Sequence, residues 1–561
     1  MTFSSLDREK MLGQMETEHY DVLIIGGGIT GCGIALDAVT RGMKTALVEM
    51  QDFGAGTSSR STKLVHGGLR YLKQFEVKMV SEVGKERAIV YENGPHVTTP
   101  EWMLLPIYQD GTFSMFSTSI GLRVYDYLAG VKRNERRSML SREETLKLEP
   151  LLKTSALRGG GYYVEYKTDD ARLTIEVIKE AVKHGTEAVN YAKVESFIYQ
   201  NRKACGVVVV DQISNKKYSI YADKIVNASG PWVDTLREKD QSLGKKSIQL
   251  TKGIHLVFDQ SRFPLKQAIY FDTPDGRMIF AIPREGKTYV GTTDTVYSGD
   301  IANPRMTKAD RQYVLDAIQF MFPTLHIKEE DIESSWTGLR PLINEEGKSP
   351  SEISRKDEIW ISDSGLITIA GGKLTGYRKM AEMVVDRLVT LFKEEGKTFG
   401  SCQTKTLPIS GGNIGGSKNF PAFMDEKVKQ GVKMGLSREE SLKLTKKYGA
   451  NVDQLYSYIT SHSDEAKESG LPLCEFLQIF YAITEEMAVK PIDFFYRRTG
   501  ALLFDIHWVR QWKEKVNAYM SSVFQWTCEQ KETYQKELDR AIYDATTPED
   551  EKKDDVKGKV S

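Results

Sequence analysis

The sequence predicts an α/β protein in three parts: a doubly wound Rossmann domain, a β-rich insertion that leaves and rejoins it, and an all-α C-terminal domain. Three observations predict it. A strand, glycine turn, helix and second strand follow one another in residues 21–49. A further strand, Gly-Gly turn and helix begin near Leu366, and from Pro421 onward the apolar spacing is helical. With 561 residues the chain exceeds what a single core organises.

Residues 22–25 are a short β-branched run, enough for one buried strand. They lead into Gly26, Gly28 and Gly31, spaced G-x-G-x-x-G. A helical pattern (Ile34, Leu36, Ala38, Val39) stops at Gly42, and a second strand, residues 45–48, ends on Glu49. Gly26 permits the tight turn, Gly28 lets backbone approach a pyrophosphate, and Gly31 lets helix and strand pack closely. The helix start offers free N–H groups and a positive dipole end to phosphates. Glu49 lies about 20 residues on, where an acid accepts hydrogen bonds from an adenosine ribose. The order strand, helix, strand, acid predicts a bound ADP moiety.

Charge and cysteine usage narrow the class. Lys+Arg and Asp+Glu both number 77, a net charge of zero, which argues against a global nucleic-acid binder and leaves room only for local basic patches. The five cysteines are scattered without CxxC or metal-ligand spacing, so neither a disulfide framework nor a metal site is expected, and a reducing cytosol fits. The N-terminus carries Asp7, Arg8, Glu9 and Lys10 with no apolar core of a secretory signal, and no run reaches the length of a membrane span. The expectation is a cytoplasmic protein that meets any membrane at its surface.

Along the chain, residues 1–18 read as a short charged helix. Residues 54–63 are rich in Gly, Ser and Thr, suited to wrapping a polar ligand. His66, Gly67, Gly68, Arg70 and Tyr71 follow, a cationic and aromatic wall beside the nucleotide fold. Residues 113–131 are apolar and aromatic, with Lys132, Arg133, Arg136 and Arg137 as a basic flank. That pattern reads first as a core helix and second as a membrane-surface element. Ser141 to Glu144 form a capping box, residues 158–166 a strand, Asp170 opens a helix closed by Gly185, and residues 186–194 form a further strand. Two antiparallel strands precede residues 224–232, a short strand ending on Ala228, Ser229 and Gly230, small residues that let a flat cofactor lie near the backbone.

Residues 248–363 are β-rich, with a hairpin around Glu285 and Gly286. A β-rich insertion between returns to a dinucleotide domain usually carries the substrate side. His255 and Arg340 lie there, and taken singly each reads as structural. After the strand at 366–370, Gly371, Gly372, Lys373, Leu374 and Thr375 open a long helix. Its dipole suits the N1 and O2 edge of a reduced flavin. Two glycine-rich helix starts favour an extended dinucleotide such as FAD. Residues 410–417 read as a linker, residues 421–545 as helices with a capping box at Ser437 and Glu440, and residues 548–561 as a disordered charged tail.

With these pieces in hand the chain resembles the FAD-dependent glycerol-3-phosphate dehydrogenases of bacteria and mitochondria. The matching stretches are residues 26–31, 57–71 (TSSRSTKLVHGGLRY), 227–232, 336–341, 370–378 and 493–500 (DFFYRRTG). The resemblance implies a glutathione-reductase-like FAD domain over residues 1–400, an interleaved antiparallel substrate domain near 70–165 and 245–363, a linker at 401–420 and a helical cap at 421–547. Related oxidases of glycerol phosphate carry an inserted mid-chain segment that this sequence lacks, which favours a dehydrogenase. The implied cofactor contacts are Gly26, Gly28, Ile29, Thr30, Gly31, Glu49, Thr57, Ser58, Ser59, Thr62, Lys63, His66, Gly67, Gly68, Val194, Ala228, Ser229, Gly230, Gly372, Lys373, Leu374 and Thr375.

The implied reaction oxidises sn-glycerol 3-phosphate to dihydroxyacetone phosphate by hydride transfer from C2 to flavin N5, with a membrane quinone as electron acceptor. A phosphate dianion wants several cations and planar donors, and Arg70, Arg340 and Lys373 are the candidates, with Tyr71 as an added donor. Arg340 alternatively holds the C2 oxygen as charge builds there. His255 is nominated as general base, with substrate donor and structural histidine as its other roles and His66 as its rival. An oxygen-using oxidase, an amine or amino-acid oxidase and a non-catalytic nucleotide-binding protein are the alternatives. Peripheral contact with the inner face of the cell membrane is expected, and a homodimer stays open.

Overall fold

Strand His19–Ile25 stands at the centre of an eight-stranded sheet. In this computed structural model the described residues are 3–66, 77–128, 136–345 and 357–551. Val22, Leu23 and Ile24 have no exposed surface, as expected of a parallel strand covered on both faces. Parallel to it lie Thr45–Val48 on one side and Lys217–Asn227 on the other, with Glu187–Val189 and Ile367–Ala370 further out. The chain thus leaves the first strand in both directions, which creates a crevice beyond its carboxyl end, where open α/β sheets bind ligands. Helix Ile29–Thr40 covers one face and packs on Tyr377–Glu394. A side chain on Gly33 would come within 3.0 Å of the Tyr377 ring, so glycine sets that close approach.

The β-rich insertion forms a second, ten-stranded sheet from two chain excursions. Lys246–Asp259 pairs with Ile332–Glu345 over nearly its whole length, which sets Thr251 opposite Arg340, Gly253 opposite Gly338 and His255 opposite Trp336. The hairpin turns at Glu285 and Gly286, both in the left-handed region, and both sequence-marked capping boxes form. The sheet is antiparallel except where Thr98–Tyr108 meets Ala268–Asp272 in parallel. Those strands come from the two separate excursions, so no hairpin dictates their direction. Glu358–Ile361, within the range expected for the insertion, joins the Rossmann sheet as an antiparallel edge.

Several elements depart from expectation for identifiable reasons. The strand expected at 186–194 breaks into Glu187–Val189 and Ala192–Gln200. At the break Asn190 donates to Asp52 and to the Met487 carbonyl, Tyr191 donates to Asp493, and Tyr191 has φ +52°. Tertiary anchors override the strand there. The apolar helix Met115–Leu128 is only half a core helix: Thr118 and Leu122 are buried, while Phe116 is 78%, Ile120 49% and Val124 37% exposed. The linker is a packed strap, with Ile409 buried, the Asn93 amide donating to the Thr404 carbonyl and the Ser410 N–H donating to the Glu176 carbonyl. At the expected disordered tail, the Glu549 N–H donates to the Met306 carbonyl and Asp550 accepts the Lys308 N–H. Residues 552–561 lie outside the described residues. The helical domain, Phe420–Lys433 through Cys528–Thr546, surrounds its own core of Leu444, Phe476, Leu477, Phe494 and Met520.

Candidate active site

Beyond the carboxyl end of the first strand lies a cavity of about 710 Å³ between the two sheets. Its Rossmann side begins at the glycine turn. Gly26 has φ +115°, and a Cβ there would stand 2.6 Å from the Ala228 carbonyl oxygen. A Cβ on Gly31 would stand 1.9 Å from the Gly26 carbonyl. These contacts hold the helix start flush against the two strands. Ser58 accepts the Ile29 N–H at 2.9 Å, and a Cβ on Gly28 would fill the space beside that hydroxyl. Glu49 accepts the Gly27 N–H at 2.6 Å and the Gln51 N–H at 2.8 Å while lining the cavity. Burial raises its pKa above the ordinary carboxylate value, against the pull of those two N–H groups. The small residues Ala228, Ser229 and Gly230 floor this side, with the Ser229 hydroxyl donating to Asn227 at 2.6 Å.

The opposite end is assembled from distant stretches. Arg340 lies across Gly253, where a Cβ would come 2.5 Å from its Nη2 and 2.3 Å from the Thr292 hydroxyl. Its Nη1 donates to the Thr293 carbonyl at 3.1 Å and its Nη2 to the Thr292 hydroxyl at 2.9 Å, with Asp294 at 3.3 Å. Thus fixed, the Arg340 side chain remains 34% exposed and lines the cavity. His255 is buried, stacked on Trp336 with centroids 4.5 Å apart, and its Nε2 lies 3.0 Å from the Thr62 hydroxyl. Its Nδ1 is buried with no protein partner. Burial, then Arg340 and Lys63, push the imidazole well below its ordinary pKa, so it is neutral at neutral pH. His66 is lowered to about 4 by burial with Lys373 and Arg87 adding to it, and its N–H and carbonyl both bond the Thr375 hydroxyl.

Most of the sequence-marked residues meet on this one cavity. Gly26, Gly28, Ile29, Thr30, Glu49, Thr57, Ser58, Thr62, His66, Val194, Ala228, Ser229, Gly230, Gly372, Lys373, Leu374 and Thr375 line it, as do His255 and Arg340. Gly31 and Ser59 sit beneath the lining, and the buried Ser59 hydroxyl lacks a protein partner. Lys63 points elsewhere: its ammonium is buried against Asp170 and the Ser59 carbonyl. Gly67, Gly68, Arg70 and Tyr71 lie outside the described residues. Sequence reasoning missed Gly253, Thr292, Thr293, Asp294 and Arg277 as lining residues. Only the pairing of Lys246–Asp259 with its neighbours brings the first three to Arg340, and no local motif announces that.

A doubly wound nucleotide fold whose crevice opens onto cations and a neutral histidine defines a dinucleotide-dependent oxidoreductase. The chain belongs to the FAD-dependent oxidoreductase family, whose model matches residues 21–378. Residues 402–531 match the C-terminal domain of alpha-glycerophosphate oxidase. The chain is 64% identical over 547 residues to the aerobic glycerol-3-phosphate dehydrogenase of Bacillus subtilis (strain 168), covering 97% of this chain and 99% of that one. It is 57% identical to the enzyme of the same name from Staphylococcus haemolyticus, covering 97% and 98%. Among solved structures, the glycerol-3-phosphate dehydrogenase of Bacillus halodurans complexed with FAD superposes with a TM-score of 0.86 at 51% identity, covering 98% of this chain and 100% of that one. The L-alpha-glycerophosphate oxidase of Mycoplasma pneumoniae shares the fold at 18% identity, with a TM-score of 0.55. The glycine cradle, the acid at Glu49 and the unpartnered buried Ser59 hydroxyl fit the family's dinucleotide.

Proposed function

We propose that the protein oxidises sn-glycerol 3-phosphate to dihydroxyacetone phosphate, with FAD as the hydride acceptor and a membrane quinone as the final electron acceptor. One observation carries the proposal: Arg340, Lys373 and neutral His255 line the same cavity as the glycine turn, Glu49 and residues 371–375. Relatives more than half identical over nearly the full chain bear the corresponding name, which supports it. Bound FAD supplies a two-electron acceptor at N5.

The residues divide the remaining work. Arg340 and Lys373 provide positive charge for a phosphate or for the C2 oxygen, and Gly253 leaves room for the guanidinium to hold its place. Arg70 and Tyr71 keep their proposed phosphate role. His255, kept neutral, takes the C2 hydroxyl proton, and Thr62 and Trp336 fix the ring. An amino-acid oxidase of the same fold needs a carboxylate clamp, whereas this cavity gathers cations suited to a phosphate dianion.

A membrane-surface position is also part of the proposal. No helix of the described residues is long and apolar enough to cross a membrane. Phe116, Ile120 and Val124 instead form one exposed apolar stripe at four-residue spacing, and Arg136 follows it. The acceptor is tested by turnover with a soluble quinone, and separately under air. Quinone reduction in step with dihydroxyacetone phosphate is expected. Peroxide released in step with product under air would instead assign an oxidase.

A further inference from the structure

Glu49 faces the cavity, but the turn that carries it is held from the helical domain. Three residues beyond Glu49, Asp52 is fully buried and receives two guanidinium groups. Arg498 donates to it in bidentate fashion, at 2.7 and 2.8 Å, and Arg497 donates through Nε. Asn190 adds a fourth donor at 3.0 Å. Burial alone would raise the Asp52 carboxyl, yet Arg498 and Arg497 hold it down to about 2. The same turn is stitched to the cofactor loop, because Gly54 donates its N–H to the Gly27 carbonyl at 2.9 Å. The chain then continues directly into Gly56, Thr57 and Ser58 on the cavity wall.

The arginines are neighbours in sequence and lie in a π-helical segment, Asp493–Arg498, an irregularity found often at functional sites. Arg498 also donates to the Glu486 carbonyl at 2.7 Å, and Arg497 to Asp493 at 2.7 Å. Simple adhesion between domains does not require this. Arg172 with Glu486, and the Ser335 hydroxyl with the Ala545 carbonyl, tie the helical domain to the rest of the chain without touching the turn. A buried ion cluster is a weak source of stability compared with apolar packing, so its value lies in fixing a position.

We infer that Arg497 and Arg498 are positioning residues for the dinucleotide: from the helical domain they lock residues 50–53, and so fix Glu49 and the 56–58 wall around the adenosine ribose and pyrophosphate. The helical domain is then part of the apparatus that retains FAD. The inference rests on the family's cofactor and not on which substrate is oxidised.

The test measures FAD release from purified holoprotein by the rise in flavin fluorescence, together with rebinding of FAD to apoprotein. Arg498→Ala and Asp52→Asn should each speed release by about tenfold or more. Their double variant should be no faster than Arg498→Ala alone. Leu477→Ala, in the core of the helical domain, lowers the melting temperature but should release FAD at the native rate. Arg498→Lys, which keeps the charge but not the fork, should fall between native and Ala. It also serves if the Ala variant does not fold. Release that follows melting temperature across all variants, Leu477→Ala included, would overturn the inference, as would native release in Arg498→Ala. Glu49→Gln is measured beside them, so that failure of the ribose assignment is read separately.

Discussion

At the adenosine end of the cavity the chain works with backbone, and at the reacting end with side chains drawn from far apart. The adenosine end is built mainly on residues 25–58, a glycine turn, a helix start and one acid, with Ala228, Ser229 and Gly230 as its floor. The reacting end joins His66, His255, Arg340 and Lys373, and depends on the register that sets Gly253 opposite Gly338 and Thr251 opposite Arg340. The first end should therefore yield to substitutions through cofactor affinity, and the second through rate with cofactor retained.

The sharpest break of that contrast is Arg340→Ala. Removing a fixed cation from the reacting end should lower kcat/KM by about a thousandfold while the purified protein keeps its FAD. His255→Asn should slow flavin reduction in single-turnover mixing by about a hundredfold, and an unchanged rate would place the base elsewhere. Gly253→Ala leaves every charged group of the site in the sequence. Its Cβ would displace the Arg340 guanidinium and the Thr292 hydroxyl, so turnover should fall by about ten- to a hundredfold with FAD content unchanged.

These positions also show what the sequence could reveal. The glycine turn and helix start were legible because their pattern is local: a glycine where a Cβ would strike the preceding turn, and an acid at the end of the second strand. Glu49 could be named from spacing alone. His255 and Arg340, which both line the cavity, were singled out only through family resemblance, since each alone reads as an ordinary buried histidine or ion-pair arginine. Gly253 and Thr292 were invisible, because their role arises from pairing between strands distant in sequence. The break at Asn190 and Tyr191 was hidden for the same reason: its partners Asp52, Met487 and Asp493 are remote in sequence.

Smaller effects probe the other side of the contrast. Glu49→Gln should weaken FAD binding by about tenfold and leave the KM for substrate nearly unchanged, as expected when one charge-assisted hydrogen bond is lost. Stability against pH reports instead on a residue of the reacting end. His66 is lowered from 6.5 to about 4 in the folded protein, so the unfolded chain binds the proton first. Its contribution is therefore lost as pH falls through that window, and the melting temperature should decline there. His255, also held neutral, should cause no fall in the flavin-reduction rate as pH drops to the ordinary histidine value of 6.5.

The central claim is that the cations at one end of the cavity present a three-carbon phosphoester to FAD. Mixing the holoprotein with sn-glycerol 3-phosphate in the absence of oxygen tests it most directly. The visible flavin absorbance should bleach within the time of one turnover, with one dihydroxyacetone phosphate formed per flavin. A flavin that stays yellow in the presence of sn-glycerol 3-phosphate would contradict the account.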